Sequence, residues 1–584
     1  MDTTTESKTQ SHDPIIEPVP TDGQTGGRYG WRFSAILVAL SLTSILAGLE
    51  IGCIATAMPT IVKDLGTGDE SETIYVWVAN AYFLTMTAFQ PLYGQAANIF
   101  GRRTMTVLAV VFFAIGSAIS GAASSMPMLV AGRAIMGVGG GGILVMIEII
   151  ICDLCPQRDR PKYLGIVMSI FGLAMCVGPL IGGGLAEHAS WRWIFYLNLP
   201  VAAVSLVPLL LFLRVRYKRD AIGKMLARVD WGGNTLFAAA VTSILVALTW
   251  GGTEHAWSAW QTLLPLFLGI AGLGLFLWLE STTLIEQPTM PLRLFANRTS
   301  SGAFGLTFVA SILTYWMAYW LPIYFQAVKE DSPTQSGIST LPVSMIMIPF
   351  SILAGGGVTA SGKFRPFQFA GISLMTIAMG LFSLLDVESS KGYWVGFQVV
   401  AAAGGGLLLT CTLPAVQAPL PEADVAIATA TWGFLRSFGG IWGIAIPTAI
   451  FNSYVNTLLD QGRVSEEAVA NAMRNGGAYA LASVGFIQSI PLDIKEQVKT
   501  VYVESLRLVW QVAIGFGVLG FLITIVIKEV KLREDLETDF GLVEGTNDSS
   551  STEVTVESGR GVVENKAEKS VAGTAEQTVP DGSR

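Results

Sequence analysis

Fourteen apolar stretches, each long enough to cross a lipid bilayer, succeed one another along this chain. They run at roughly 34–58, 73–97, 104–123, 127–151, 163–186, 194–213, 232–250, 261–280, 303–327, 337–359, 368–386, 393–415, 428–452 and 506–527, where one crossing takes about 20 residues. Only 14% of the 584 residues are charged and mean hydropathy is +0.54; a soluble domain carries about 25% charged residues. Most of the chain must therefore face lipid or fill a very large core, which predicts an all-α integral membrane protein with the bilayer as its first partner. A net charge of −8, with no basic stripe, excludes nucleic acid as a partner. Residues 1–31 and 531–584 are rich in Ser, Thr, Glu and Gly and are expected to be disordered tails, with no cleavable signal peptide.

Short loops orient the spans. With the N-terminus inside, cytoplasmic loops hold Arg102 and Arg103, then Arg158, Arg160 and Lys162, then Arg214, Arg216, Lys218, Arg219, Lys224 and Arg228. Arg293, Arg298, Lys363, Arg365, Lys528, Lys531 and Arg533 fall on the same side, while the opposite short loops hold little beyond Lys63, Arg192, Lys329 and Lys391. Basic residues favour the cytoplasmic side, so both termini are expected there and the long segment 453–505 outside. Its alternating polar and apolar residues predict two short amphipathic helices, 464–482 and 494–506, lying on the outer surface.

The chain also repeats itself. Gly94 and Gly101-Arg102 follow the second span, and Gly355 and Gly362-Lys363 follow the tenth; Gly139 to Gly142 lie in the fourth span and Gly404 to Gly406 in the twelfth. Matching irregularities in two halves mark transporters built from repeats. The expected organisation is a six-helix bundle at 32–213, a linker with two inserted helices at 214–300, and a second six-helix bundle at 301–530.

Several patterns have plain readings. Gly137-Val138-Gly139-Gly140-Gly141-Gly142 matches a nucleotide-binding loop, but it lies in mid-membrane with no strand before it, so helix packing by small residues explains it better. Cys152 and Cys155 form a lone CxxC, short of the roughly four ligands of a structural zinc site; no metal and no cofactor is expected. Sequons at Asn297 and Asn547 face the cytoplasm and predict no glycan. The aromatic run Tyr315, Trp316, Tyr319, Trp320, Tyr324 and Phe325 fits an interfacial belt and a substrate cavity equally well.

Ionisable residues inside spans are where function is sought. Glu50 lies about 6 Å from the outer end of the first span and Arg133 about 9 Å into the fourth, by the 1.5 Å helical rise and a core of about 30 Å. The two are placed to pair, either as a static salt bridge or as a proton carrier with its electrostatic partner. Burial and a guanidinium act in opposite senses on a carboxyl's ionisation, so a separable pair lets Glu50 take and lose a proton. His12, His188 and His255 all lie outside the spans, leaving carboxylates to move any proton. Glu148, at the inner edge of the fourth span, reads as a solvated acid. Arg436 has no evident acidic partner at its depth and faces either an anionic substrate group or the cytoplasmic headgroups. Tyr82, Thr85 and Gln90, with Trp316, Tyr319 and Trp432, are expected to line a mostly aromatic central cavity.

Three linked stretches carry a family resemblance. They are Gly94 to Arg103, Arg133-Ala134-Ile135-Met136-Gly137, and Gly178-Pro179-Leu180-Ile181-Gly182-Gly183; Leu49 to Pro59, Trp191 to Pro200 and Asp424 to Arg436 add to them. Over about 34–535 the chain resembles the major facilitator superfamily, and within it the fourteen-span drug:proton antiporters of fungi that export toxins and other secondary metabolites. That resemblance implies the major facilitator fold, two six-helix bundles plus two inserted helices. It also implies conformational roles for Gly94, Gly101, Arg102, Arg103, Gly178, Pro179, Gly182 and Gly183, and proton coupling through Glu50 and Arg133. Departures are Asn98 and Ile99 where the family has Asp and Arg, Met136 where it has Gln, and Ala174 where Gly is common.

The expected function is proton-coupled export of small hydrophobic compounds by a monomer in the plasma membrane, or in a vacuolar or vesicle membrane. Import of a small solute on the same fold is the alternative, and a non-transporting sensor or receptor is the alternative of another class. Nothing points to an enzyme, since no His, Cys or paired-Asp cluster gathers at one depth.

Overall fold

The computed structural model describes residues 30–65, 71–213, 221–251, 255–282, 285, 287–474 and 476–535. Most of both expected tails, and the basic run Arg214 to Arg219, lie outside the described residues. No β-strand forms among the described residues. The first half is built from α1 (Trp31–Leu65), α2 (Ser71–Phe100), α3 (Arg102–Gly121), α4 (Met126–Leu154), α5 (Arg160–His188) and the consecutive α6 (Arg192–Tyr196) and α7 (Asn198–Phe212). A short α8 (Ile222–Arg228) precedes the inserted hairpin α9 (Trp231–Trp250) and α10 (Trp260–Glu280). The second half holds α11 (Arg298–Ile323), α12 (Pro333–Ser361), α13 (Arg365–Phe382), α14 (Lys391–Gln417), α15 (Val425–Asp460) and, after a loop with three short helices, α19 (Leu492–Val526).

Twelve of the fourteen long segments, α6 and α7 counting as one, are apolar and long enough to cross a membrane. The other two, α2 and α13, have the length but carry more polar residues: Asn80, Gln90, Gln95 and Asn98 in α2, Arg365 and Gln368 in α13. The loop differs from expectation. In place of two amphipathic surface helices it forms α16 (Glu467–Met473), α17 (Gly477–Ala480) and α18 (Val484–Ser489), and residues 494–506 are the first part of α19. The cause is packing. Val498, Val501, Tyr502 and Leu506 are buried, the Tyr502 hydroxyl donates to the Ala478 carbonyl at 2.5 Å, and Lys495 and Lys499 both pair with Glu330. The C-terminal end also stays attached past 530, with Leu532 buried and the Arg533 guanidinium donating to the Leu420 carbonyl.

The glycine repeat has one structural meaning in both halves. A Cβ on Gly139 would sit 2.3 Å from the Phe113 amide of α3, and one on Gly404 would sit 2.7 Å from the Met375 amide of α13. Gly141 and Gly406 likewise press on carbonyls of α2 and α12. Gly94 and Gly355 bring the halves themselves together, against Ala430 of α15 and the Pro161 carbonyl of α5. Gly101 and Gly362 both take positive φ, 86° and 68°, which turns the chain sharply between helices at equivalent points. Helices in lipid gain no hydrophobic drive to associate, so small residues that permit close backbone contact do the packing.

Contacts between the halves concentrate toward the basic end. Ser169 meets Ser351, Gln90 donates to Ser437, and Gln417 joins Cys152 and Arg160. Arg160 also pairs with Glu422, and Arg158 reaches the Thr359 and Ala360 carbonyls. The bundle is sealed at this end. Gly139→Val is expected to abolish recovery of monodisperse protein in fluorescence-detected size-exclusion chromatography, since overpacking costs about 1–3 kcal/mol or more. Gly274→Ala, at a site with nothing within 4 Å, should be recovered like wild type.

Candidate functional site

Glu50 occupies its position because α1 and α5 touch backbone to backbone. A Cβ on Gly178 would lie 2.6 Å from the Gly52 Cα, and one on Gly182 would lie 2.4 Å from the Cys53 carbonyl oxygen. Pro179 and Gly183 continue α5 through this contact. Glu50 is thereby held on the interior side of α1, fully buried, where Arg133 of α4 pairs with it. Its second oxygen accepts from Asn198 Nδ2 at 2.8 Å, and Asn198 is steadied by Ser117, 3.1 Å away. Arg133 is just as constrained: Nε donates to the Val78 carbonyl at 2.8 Å, and the guanidinium lies 4.6 Å over the Tyr82 ring. Asn198 belongs to the stretch Trp191 to Pro200, where Trp191 and Arg192 both bond to Asp64 at the end of α1. Those bonds hold the Asp64 carboxyl below the usual carboxylate range.

A second carboxylate–arginine pair spans the two halves. Arg436 Nη2 of α15 lies 2.9 Å from Glu148 Oε1 of α4. This corrects two expectations: Glu148 is not solvated but fully buried, and Arg436 does have an acidic partner. The reason is that α4 runs on to Leu154 and α15 packs over it, which carries Glu148 away from the water interface. Arg436 lies 4.4 Å over the Trp432 ring, and the Trp432 indole donates to Thr412 at 3.1 Å.

The remaining candidates separate into two groups. Tyr82 and Gln90 are buried beside the two pairs, and Thr85 ties α2 to α4 by donating to the Ala134 carbonyl at 2.8 Å. Trp316 is fully buried and packs 5.7 Å from Phe516, so in this conformation it serves the α11–α19 contact. Tyr319 is 37% exposed and stacks on Tyr315. Reasoning from sequence missed Asn198 and Ser117; a lone Asn between two apolar runs was the available signal for the first.

A family model described as the Major Facilitator Superfamily matches residues 40–444. The efflux pump FUS6 of Gibberella fujikuroi is 47% identical over 94% of this chain and 97% of its own length. The MFS-type efflux pump LUC4 of a Fusarium species is 46% identical over 90% of this chain and 93% of its own. This chain belongs to the major facilitator superfamily. It is a multi-pass membrane protein of that fold, and the proton:xylose symporter XylE superposes with a TM-score of 0.56 at 15% identity, over 86% of this chain and 98% of XylE.

Within that superfamily fold the departures are locally compensated. Asn98 still accepts from Arg102 at 2.8 Å, and the charge partner of Arg102 is Asp153 at 2.7 Å. Ile99 packs with Met225 and Val229 around α8. The Met136 sulfur lies 3.8 Å from the Arg133 guanidinium, and Ala174 fits because Gly48 faces it. Arg103 donates to the Leu210 carbonyl at 2.6 Å, tying α3 to α7. Arg133→Ala should lower stability by about 3–5 kcal/mol, because it strands a buried carboxylate, whereas Glu50→Gln should stay folded. Thermal unfolding of purified protein checks both.

Proposed function

We propose that this protein is a proton-coupled efflux transporter for small hydrophobic compounds of the toxin, secondary-metabolite or drug type. One observation carries the reading: relatives named efflux pumps match nearly the whole chain at 45–47% identity. The internal geometry is consistent with it. Glu50 is a buried carboxyl whose charge is balanced by Arg133 and Asn198 within one half, so gaining a proton frees Arg133 without parting the halves. With the basic end cytoplasmic, the seal formed by Arg158, Arg160 and Gln417 closes the cytoplasmic side, and Tyr319 and Arg436 face an outward cavity. Substrate binds along that cavity between Tyr82 and Gln90 on one side and Tyr319, Trp432 and Arg436 on the other. Release outward and rocking of one half on the other complete the cycle in a monomer in the plasma membrane, with both termini cytoplasmic.

In proteoliposomes with an imposed proton gradient, wild-type protein should move a hydrophobic dye against its gradient as protons run the other way. Glu50→Gln should lose that driven movement and keep dye binding. Wild-type rate and unchanged pH dependence in Glu50→Gln would place coupling elsewhere, with Glu148 next in line. Movement of dye in the same direction as protons would favour import. A C-terminal tag should be reached by antibody only after the plasma membrane is permeabilised; labelling of intact cells would overturn the orientation.

A further inference from the structure

We infer that the Glu148–Arg436 pair is an exchangeable anion site, and that the substrate's polar head is an acidic group that takes the place of Glu148 on Arg436. The inference rests on the efflux reading for the direction of movement, but not for binding. Three features carry it. First, the pair is incompletely satisfied. Arg436 Nη2 and Glu148 Oε1 are 2.9 Å apart, yet apart from Arg436 neither Glu148 oxygen has a hydrogen-bond donor, although both are fully buried. Glu50 differs sharply, with Arg133 on one oxygen and Asn198 on the other. A built structural ion pair satisfies the remaining lone pairs of its carboxylate; this one does not.

Second, Arg436 keeps donors in reserve. Among the described residues its guanidinium has no hydrogen-bond acceptor besides Glu148, lies 4.4 Å over the Trp432 ring, and keeps 16% of its side chain open. A planar fork of donors presented this way suits bidentate contact with a carboxylate or similar planar acid. Third, the surroundings form a site for an amphiphile. The buried Gln90 carbonyl oxygen has no partner, and it and a Glu148 oxygen would both lie 3.6 Å from a Cβ on Gly433. The Tyr315 ring lies against Gly440, about one turn beyond Arg436 on α15, and stacks on Tyr319, adding aromatic surface. An organic acid with an apolar body fits both parts. Because Glu148 belongs to α4 and Arg436 to α15, the exchange also removes an ionic contact between the halves at the sealed end.

The test uses the full-length protein in lipid nanodiscs, with pyrenebutyrate and its neutral carboxamide as fluorescent probes of equal shape. Wild type should bind the acid about tenfold more tightly than the amide, a difference of about 1.4 kcal/mol. Glu148→Gln removes the internal competitor and should tighten the acid severalfold while leaving the amide unchanged. Arg436→Lys should keep part of the preference and Arg436→Ala none. Equal binding of acid and amide by wild type overturns the proposal without any variant having to fold, and so does weaker acid binding by Glu148→Gln. Reconstituted into vesicles, export of the amide at the rate of the acid would sink the exchange site while leaving efflux intact. Acid-selective binding without export would sink the efflux reading and leave the site standing.

Discussion

Close backbone contact between helices is the constraint on which the rest of this structure depends. Lipid offers no hydrophobic reward for helix association, so cohesion has to come from contacts that only small side chains allow. At Gly52, Gly178 and Gly182 the backbones of α1 and α5 meet with no space for a Cβ. At Gly139 and Gly141, α4 is wedged in the same way against α3 and α2. These contacts leave no gap between the helices that carry Glu50 and Arg133 and the helices beside them. They make it possible to bury Glu50 and Arg133 at all, since an unpaired charge in such a place costs several kcal/mol.

The same constraint explains what was legible in the sequence. Apolar runs of spanning length announce themselves one by one, and the polar load of α2 and α13 still left each recognisable. The repeat was legible because glycine is demanded at fixed places: Gly101 and Gly362 by positive φ, Gly94 and Gly355 by the approach of the opposite half. Depth along a helix is readable from residue count, which brings Glu50 and Arg133 to one level. Asn198 was not legible, because its position at the α6–α7 corner depends on a turn that hydropathy does not describe.

Glu148 and Arg436 show where reading span by span stops. Each was placed near the inner end of its own span, and by helical rise they lie about 9 Å from the end of α4 and about 16 Å from the start of α15. Nothing within either span says that the two helices close over each other. That closure belongs to an arrangement of the two halves, and it converts an apparent interfacial acid into a fully buried one. The aromatic run on α11 divides for a related reason. Trp316 and Trp320 face α19 and α15, while Tyr315 and Tyr319, on another face of the same helix, are less enclosed and stack on each other.

The two ion pairs then differ in what motion does to them. Glu50, Arg133, Asn198, Ser117 and Tyr82 all belong to the first half, so a rigid-body rotation carries the whole cluster without breaking it. In the proposed cycle its state changes through the proton on Glu50 alone. The Glu148–Arg436 contact has one member in each half, and any opening of the sealed end must separate it. Separation is tolerable only if something else meets Arg436 and something else neutralises Glu148, because both would otherwise be left uncompensated. The proposed exchange of protons for substrate needs this division: one site whose charge changes while its geometry stays, and one whose geometry cannot change until its charge is met.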